Sequence, residues 1–141
     1  MKWFFDTSVI VSAFLDEHVH HRASLAAYLA ADKARACCAA HSLAEVYATL
    51  TRLPGKHRAS PAQAMLFLEN MAEKLSFVTL GSEDYWTAIT HAANAGVAGG
   101  TVYDALLGRC ALKAKAEIIY TWNVAHFQQL GGEMAMRVRT P

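Results

Sequence analysis

The sequence predicts an α/β fold in which a single-domain parallel β-sheet is sandwiched by helices. The first observation is the apolar run Trp3, Phe4 and Phe5, which ends at Asp6 and is typical of a strand buried on both faces. The second is the alternation of short apolar segments with segments of helical period, which indicates parallel strands joined by helices. The third is the length of 141 residues, which fits one domain over residues 1–141.

The predicted elements follow one another without an internal repeat, a linker or a low-complexity segment. After the first strand, the predicted strands are 35–40, 77–80 and 117–121, with an edge strand at 136–139. The predicted helices are 9–14, 18–33, 42–53, 60–75, 82–96 and 101–115, and a short helix begins at 123. Ser60, Pro61 and Gln63 form a well-defined helix start, with an N-cap serine, a proline in the first turn and a glutamine at the third position. Ser82 is predicted to cap the helix that it opens.

Composition sets limits on location and partners. The three cysteines are odd in number and two are adjacent, so they form no disulfide framework and favour a reducing, cytoplasmic location. No segment approaches the roughly 20 apolar residues of a membrane span, and we expect no membrane association. The net charge of +1 neither requires nor excludes a nucleic-acid partner.

Polar residues recur where predicted strands end and helices begin. Asp6 ends the first strand, Glu45 lies in the first turn of the helix after the second, and Asn123 follows the fourth. Because helix starts that follow parallel strands gather at one edge of the sheet, these three side chains are expected to converge there. Asp104 also lies in the first turn of a helix, but that helix follows no strand directly, so the topology by itself does not place it at this edge.

A structural role fits each of these residues as well. Glu45 and Asp104 each stand three residues after a serine or threonine and fit a capping box, whereas Asp6 and Asn123 fit simple N-caps. Two features favour a functional site. Asp104 lies in a helix that is apolar nearly all round, where a buried carboxylate costs several kcal/mol unless it is compensated. Glu45 is rotated by about 135° from the centre of its helix's apolar stripe, so it can face a cleft.

Clustered carboxylates without a nearby Lys or Arg repel one another. A hard divalent cation such as Mg²⁺ or Mn²⁺ resolves that repulsion, because it prefers oxygen ligands.

Four short motifs carry a family resemblance. They are FDTSV (5–9), SLAEV (42–46), YDAL (103–106) and TWNVAHF (121–127). In this order and spacing they resemble those of PIN domains, and most closely those of the VapC-type toxins of bacterial toxin–antitoxin pairs. The resemblance covers essentially the whole chain and implies a divalent-metal-dependent endoribonuclease with a parallel sheet between helices.

The resemblance also implies roles for individual residues. Asp6, Glu45 and Asp104 take the positions of metal ligands, and Asn123 takes the position of a fourth acid, so it departs from the usual Asp and leaves the number of metals open. Bound Mg²⁺ or Mn²⁺ would activate a water and neutralise charge on the phosphoryl oxygens of RNA. The residues predicted to support the site or contact substrate are Thr7, Ser8, Thr121, Arg109 and His126.

Partners follow from the resemblance alone. It implies an RNA substrate, a cognate antitoxin protein whose tail enters the acidic cleft, and a homodimer.

Two other functions remain open from the residues. One is a catalytically degenerate PIN-like module that binds RNA or a protein without cutting, and Asn123 is its main support. The other is a phosphate-handling enzyme, either a haloacid-dehalogenase-like phosphatase or a response-regulator receiver. The phosphatase requires a second Asp where this chain has Ser8. The receiver requires an acidic pair before its phosphorylated Asp and a late Lys, whereas the first strand offers only Asp6.

Three further groups have both a structural and a functional interpretation. The residues between Arg52 and Arg58 include four basic or titratable side chains, which fit a solvated helix end or a grip on a phosphate backbone. His18, His20 and His21 resemble a metal cluster only by number, and a zinc site is disfavoured because partner ligands are missing. Trp122 borders the predicted site and fits either base stacking or core packing.

Overall fold

In the computed structural model, which describes residues 1–141, five short strands form one sheet in which every neighbouring pair is parallel. In chain order they are β1 (Trp3–Phe5), β2 (Ala36–Ala39), β3 (Ser76–Val78), β4 (Ile118–Tyr120) and β5 (Val138–Arg139). Across the sheet the order is β3-β2-β1-β4-β5, with Phe4 of the central strand opposite Cys37 on one side and Ile119 on the other. The predicted fold class is therefore confirmed.

Eight α-helices connect and cover the strands. They are α1 (Thr7–Phe14), α2 (His21–Leu29), α3 (His41–Thr51), α4 (Pro61–Lys74), α5 (Ser82–Asn94), α6 (Thr101–Lys113), α7 (Val124–Leu130) and α8 (Gly132–Arg137). A short 3-10 turn at Gly55–His57 separates α3 from α4. No helix combines the length and the apolar composition that a membrane crossing requires.

Two helix starts test the capping predictions. At α4 the backbone N–H of Gln63 donates to Oγ of Ser60 over 3.1 Å, and the N–H of Ser60 donates back to Oε1 of Gln63 over 2.8 Å, as predicted. At α5 the prediction is wrong, because the N-cap is Gly81 and not Ser82. Asp84, in the first turn of α5, caps the helix instead, since its Oδ2 accepts a hydrogen bond from the N–H of Gly81 over 3.0 Å.

The largest differences from the predicted boundaries lie at chain turns. Within the predicted helix 18–33 only α2 (His21–Leu29) forms, because residues 15–20 form a loop. Helix α8 was not predicted, and it takes up residues 136–137 of the predicted edge strand. Gly131 and Gly132 both have positive φ, so they reverse the chain after α7 and allow a new helix to begin.

Apolar side chains cover both faces of the sheet. Neighbouring residues of a strand point to opposite faces, so Phe5 packs with α1 to α4 while Phe4 packs with α6 and α7. Both phenylalanines are fully buried. This two-sided burial explains the continuous apolar run with which β1 begins.

Candidate functional site

A cavity of about 540 Å³ opens at the carboxyl edge of the sheet. Asp6, Glu45, Asp104 and Asn123 all line it. Asp6, Glu45 and Asn123 come from the segments that follow β1, β2 and β4, as the parallel topology requires. Helix α6 leads into β4, so its first turn lies at the same edge and brings Asp104 to the cavity. No Lys or Arg lines this cavity.

Asp6 is the most deeply buried of the acids, with 1% of its surface exposed. Its Oδ2 accepts hydrogen bonds from Oγ of Ser8 and Oγ1 of Thr121, both over 2.7 Å. Although Asp6 occupies the N-cap position of α1, its side chain makes no capping hydrogen bond. The simple N-cap interpretation therefore does not account for this residue.

Burial raises the pKa of Asp6 from 3.8 to about 6. The hydrogen bonds from Thr121 and Ser8 oppose that rise in pKa, whereas the neighbouring charges of Asp104 and Glu45 add to it. Asp6 therefore interacts electrostatically with both Asp104 and Glu45, and no Lys or Arg in the cavity lining offsets this repulsion.

Glu45 lies in the second turn of α3, because that helix begins at His41. The predictions of a first-turn position and of a capping box with Ser42 are both wrong, since no side chain caps α3. Instead, Oε1 of Glu45 lies 3.0 Å from Oγ1 of Thr7, and the same hydroxyl lies 2.8 Å from Oγ of Ser42. These contacts fix the direction in which the carboxylate points.

Asp104 lies in the first turn of α6, as predicted, but no side chain caps that helix. The residues of α6 from Asp104 to Leu112 are buried or half-buried, as expected, whereas Tyr103 in its first turn is 58% exposed. The Asp104 carboxylate is nevertheless only 15% exposed, and its Oδ2 lies 2.6 Å from Nδ1 of His126. Burial raises the pKa of Asp104, and the contact with His126 opposes that change.

Asn123 precedes α7 and occupies its N-cap position without a side-chain capping bond. Its backbone N–H donates to Oγ1 of Thr121 over 2.9 Å, and its side-chain amide makes no hydrogen bond within the protein. The amide is therefore available to a ligand in the cavity.

The donor types in the cavity fit a hard divalent cation. Three carboxylates and one amide carbonyl supply oxygen ligands, which Mg²⁺ and Mn²⁺ prefer. No three His, Cys, Asp or Glu side chains are grouped tightly enough to form a preassembled metal cluster. The residues thus fit such an ion by chemistry and by shared location.

Arg109 is the one predicted site residue that the structure places elsewhere. Its guanidinium pairs with Asp84 of α5, with Nη2 3.0 Å and Nε 3.1 Å from Oδ1. It therefore binds an acid that is outside the cavity.

The loop between α1 and α2 supplies cavity residues that sequence reasoning missed. His18 and His20 both line the cavity, and the ring of His20 stacks on Trp122 with centroids 3.6 Å apart and planes at 6°. Nε1 of Trp122 donates to Oγ of Ser24 over 2.8 Å, which fixes the indole. Periodicity could not reveal this arrangement, because the stacked rings are distant in the chain and lie in irregular segments.

Comparisons with known proteins agree with the fold. The PIN domain family profile matches residues 3–131. Ribonuclease VapC40 of Mycobacterium tuberculosis is 33% identical over 114 residues, which cover 81% of this chain and 81% of that protein. Ribonuclease VapC27 of the same species is 35% identical over 114 residues, covering 80% of this chain and 79% of its own.

Solved structures share the fold at low sequence identity. VapC20 of Mycobacterium tuberculosis, a sarcin-ricin loop cleaving toxin, has a TM-score of 0.72 at 13% identity, covering 89% of this chain and 92% of its own. VapBC2 of Rickettsia felis, bound to a promoter DNA fragment, has a TM-score of 0.69 at 15% identity, covering 100% and 99%. VapBC-1 of nontypeable Haemophilus influenzae has a TM-score of 0.67 at 15% identity, covering 99% and 98%.

Proposed function

The chain belongs to the PIN domain family, and from that premise we propose that it is a ribonuclease of the VapC type, the toxin of a toxin–antitoxin pair. The observation that carries this proposal is the convergence of Asp6, Glu45 and Asp104 in one cavity. That cavity occurs in a chain about one-third identical to two ribonucleases. The reaction is hydrolysis of an RNA phosphodiester bond.

In this proposal Asp6, Glu45 and Asp104 hold Mg²⁺ or Mn²⁺. When bound, such an ion supplies charge neutralisation at the phosphoryl oxygens and a water of lowered pKa. The chain's own contribution is to hold the carboxylates in position. Ser8 and Thr121 orient Asp6, and the contact with Thr7 orients Glu45. Hydrogen bonds of this kind to ligating groups maintain both their direction and their basicity.

His126 plays the corresponding part for Asp104. Its Nδ1 lies 2.6 Å from Oδ2, so the ring restrains one carboxylate oxygen and leaves the other free. Asn123 adds a neutral amide beside the three acids, whose carbonyl would face the ion or accept a hydrogen bond from its water and whose NH₂ would donate to a phosphate oxygen. The site therefore has one negative charge fewer than a set of four acids.

The partners proposed for the chain are those of a toxin. An antitoxin would occupy the acidic cavity with a cationic group, because a positive charge satisfies the same three carboxylates. We also propose a homodimer, which light scattering at micromolar concentration tests directly.

A cleavage assay tests the function. Purified chain is incubated with total cellular RNA in the presence of Mg²⁺, Mn²⁺ or EDTA, alongside Asp6→Asn and the control Asp32→Asn. Asp32 lies before β2, at the sheet edge opposite the cavity, and pairs with Arg35. We expect metal-dependent cutting by the native chain and the control, and none by Asp6→Asn.

Two results would contradict the proposal. Cutting that persists in EDTA would place the reaction in another site. An absence of cutting by folded, inhibitor-free chain with every metal and RNA tested would favour the degenerate binding module, for which the neutral Asn123 is the structural argument.

A further inference from the structure

A basic turn follows α3, formed by residues 52–58 and including the 3-10 turn Gly55–His57. Arg52, Lys56, His57 and Arg58 are all exposed. The ribonuclease site described above assigns no role to them. Their position relative to the cavity, and the lack of a paired carboxylate at Arg52, Lys56 and Arg58, suggest one.

Helix α3 joins the basic turn to the acidic cavity. Glu45 and Thr49 line that cavity, and Arg52 follows them at the end of the same helix. The spacing i, i+4, i+7 places the three residues on one helix face. At 1.5 Å per residue, Arg52 is about 10 Å along the axis from Glu45. A single-stranded RNA that lies along this face of α3 would therefore pass from the acids to the basic turn.

A second connection runs through the loop before α2. Nε2 of His57 lies 3.0 Å from Oε2 of Glu17, and the residues that follow Glu17, His18 to His20, line the cavity. The basic turn is therefore connected to α3 and to the loop before α2, and both of these line the cavity.

The positive charges of the turn are largely uncompensated. Arg52 and Lys56 make no side-chain hydrogen bond and no ion pair. Arg58 uses Nε to donate to the carbonyl of Leu53 over 2.8 Å, which orients its guanidinium but leaves its charge without a carboxylate. Because the chain as a whole carries only +1, this is a local concentration of positive charge.

The turn also borders a concave surface. Lys56, His57 and Arg58 form one side of a cavity of about 400 Å³, and Leu66 and Phe67 of α4 form an apolar side. A surface that combines cations with apolar side chains suits a nucleotide, which has a charged phosphate and a flat, largely apolar base.

From this geometry we infer that the basic turn is an RNA-backbone subsite, in which Arg52, Lys56 and Arg58 bind phosphates of the strand that leaves the acidic cavity along α3. The inference rests on the proposed function, since it concerns the substrate of the same site. It assigns binding of the backbone to residues that take no part in the cleavage step.

Salt-dependent binding tests the subsite without any need for cleavage. The full chain carrying Asp6→Asn is titrated with a fluorescent single-stranded RNA of mixed sequence, in EDTA, across a series of KCl concentrations. Adding Arg52→Gln and Lys56→Gln is expected to reduce the slope of log K against log salt by about 1.4, since each phosphate contact to a single strand contributes about 0.7. If the binding curves meet near 1 M salt, affinity at 0.1 M salt falls roughly 25-fold.

The matched control removes two positive charges elsewhere. Lys33 and Lys115 precede β2 and β4, at the opposite edge of the sheet, and both are exposed. The pair Lys33→Gln and Lys115→Gln is expected to leave the slope unchanged. An equal fall in both double variants would mean that only net charge matters, and an unchanged slope in both would mean that the turn does not contact RNA. Either result overturns the inference.

A second probe separates RNA from a protein partner. If the Arg52 and Lys56 double variant keeps its RNA affinity but no longer binds a polyglutamate peptide, the turn serves an acidic protein and the inference is wrong. The inference and the function fail separately. If the chain does not cut RNA but the double variant lowers the salt slope, the function fails and the subsite stands. If the chain cuts RNA but the double variant leaves the salt slope unchanged, the subsite fails and the function stands.

Discussion

Thr121 is fully buried, yet its hydroxyl links two residues of the site. Oγ1 donates to Oδ2 of Asp6 over 2.7 Å and accepts from the backbone N–H of Asn123 over 2.9 Å. One hydroxyl thus orients the most buried acid and positions the start of α7.

Replacement of Thr121 by valine keeps the shape of the side chain and removes the hydroxyl. We expect Thr121→Val to lower kcat/KM for RNA roughly 10- to 100-fold, the usual cost of losing a partner of a ligating group. The unsatisfied N–H of Asn123 should also lower the free energy of unfolding by about 1–3 kcal/mol. Thr121→Ser, which keeps the hydroxyl, is the control. Native kinetics in Thr121→Val would contradict this role.

At the scale of elements, Asp84 joins the start of α5 to α6. Its Oδ2 accepts from Nζ of Lys113 over 2.9 Å and from the N–H of Gly81 over 3.0 Å, and its Oδ1 accepts from Arg109. The hydrogen bond from Lys113 contributes most to lowering the pKa of Asp84 to about 2, followed by the N–H of Gly81.

The lowered pKa of Asp84 predicts a pH-dependent contribution to stability. The unfolded chain takes up this proton near pH 3.8 and the folded chain only near pH 2, so the stabilisation is complete above about pH 4 and is lost as the pH falls through about 2. Asp84→Asn should therefore lower the midpoint of thermal unfolding at pH 7, and the difference from the native chain should disappear towards pH 2. Glu83→Gln, an exposed neighbour without an ion pair, serves as control. A difference that is the same at every pH would be inconsistent with this account.

Helices α6 and α8 approach closely at Gly108. A Cβ at this position would overlap Sδ of Met134, which is 5% exposed. Gly108→Ala should therefore lower the free energy of unfolding by about 1–3 kcal/mol, even though alanine favours a helix by about 1 kcal/mol.

A double variant checks that the contact between α6 and α8 is the cause. With Met134→Ala added, the overlap disappears, so the combined loss in urea unfolding should be smaller than the sum of the two single losses. Additive losses would mean that Gly108 is required for a reason other than Met134.

At the scale of the whole molecule, occupation of the cavity by a metal is linked to stability. An ion that binds only the folded chain raises the free energy of unfolding by about 2.7 kcal/mol at 100 times its Kd. We therefore expect Mn²⁺ to raise the thermal midpoint of the native chain and of Asp32→Asn, but not that of Asp6→Asn. Sodium chloride at matched ionic strength corrects for screening. An equal increase in Asp6→Asn would place the ion outside the cavity.

The sequence predicted the sheet, its parallel connections and the shared edge of Asp6, Glu45 and Asn123. These follow from patterns that are local in the chain, namely apolar runs, helical period and the position at which each strand ends. The four ordered motifs added the family resemblance, which the match over residues 3–131 confirms. The start of α4 was also predictable, because a capping box is a contact within four residues.

Only the tertiary structure decided which side chains meet across the chain. Arg109 pairs with Asp84, His126 contacts Asp104, and His20 stacks on Trp122. Glu45 and Asp104 do not cap their helices, although their spacing allowed it. These outcomes depend on where irregular loops and helix ends pack, and the hydrophobic periodicity of the sequence does not indicate those positions. Local patterns determine the helices and strands, because each element forms by burying its own apolar face. The polar contacts of the site instead join residues that are distant in the chain, such as Asp6 and Thr121, so they depend on the tertiary structure.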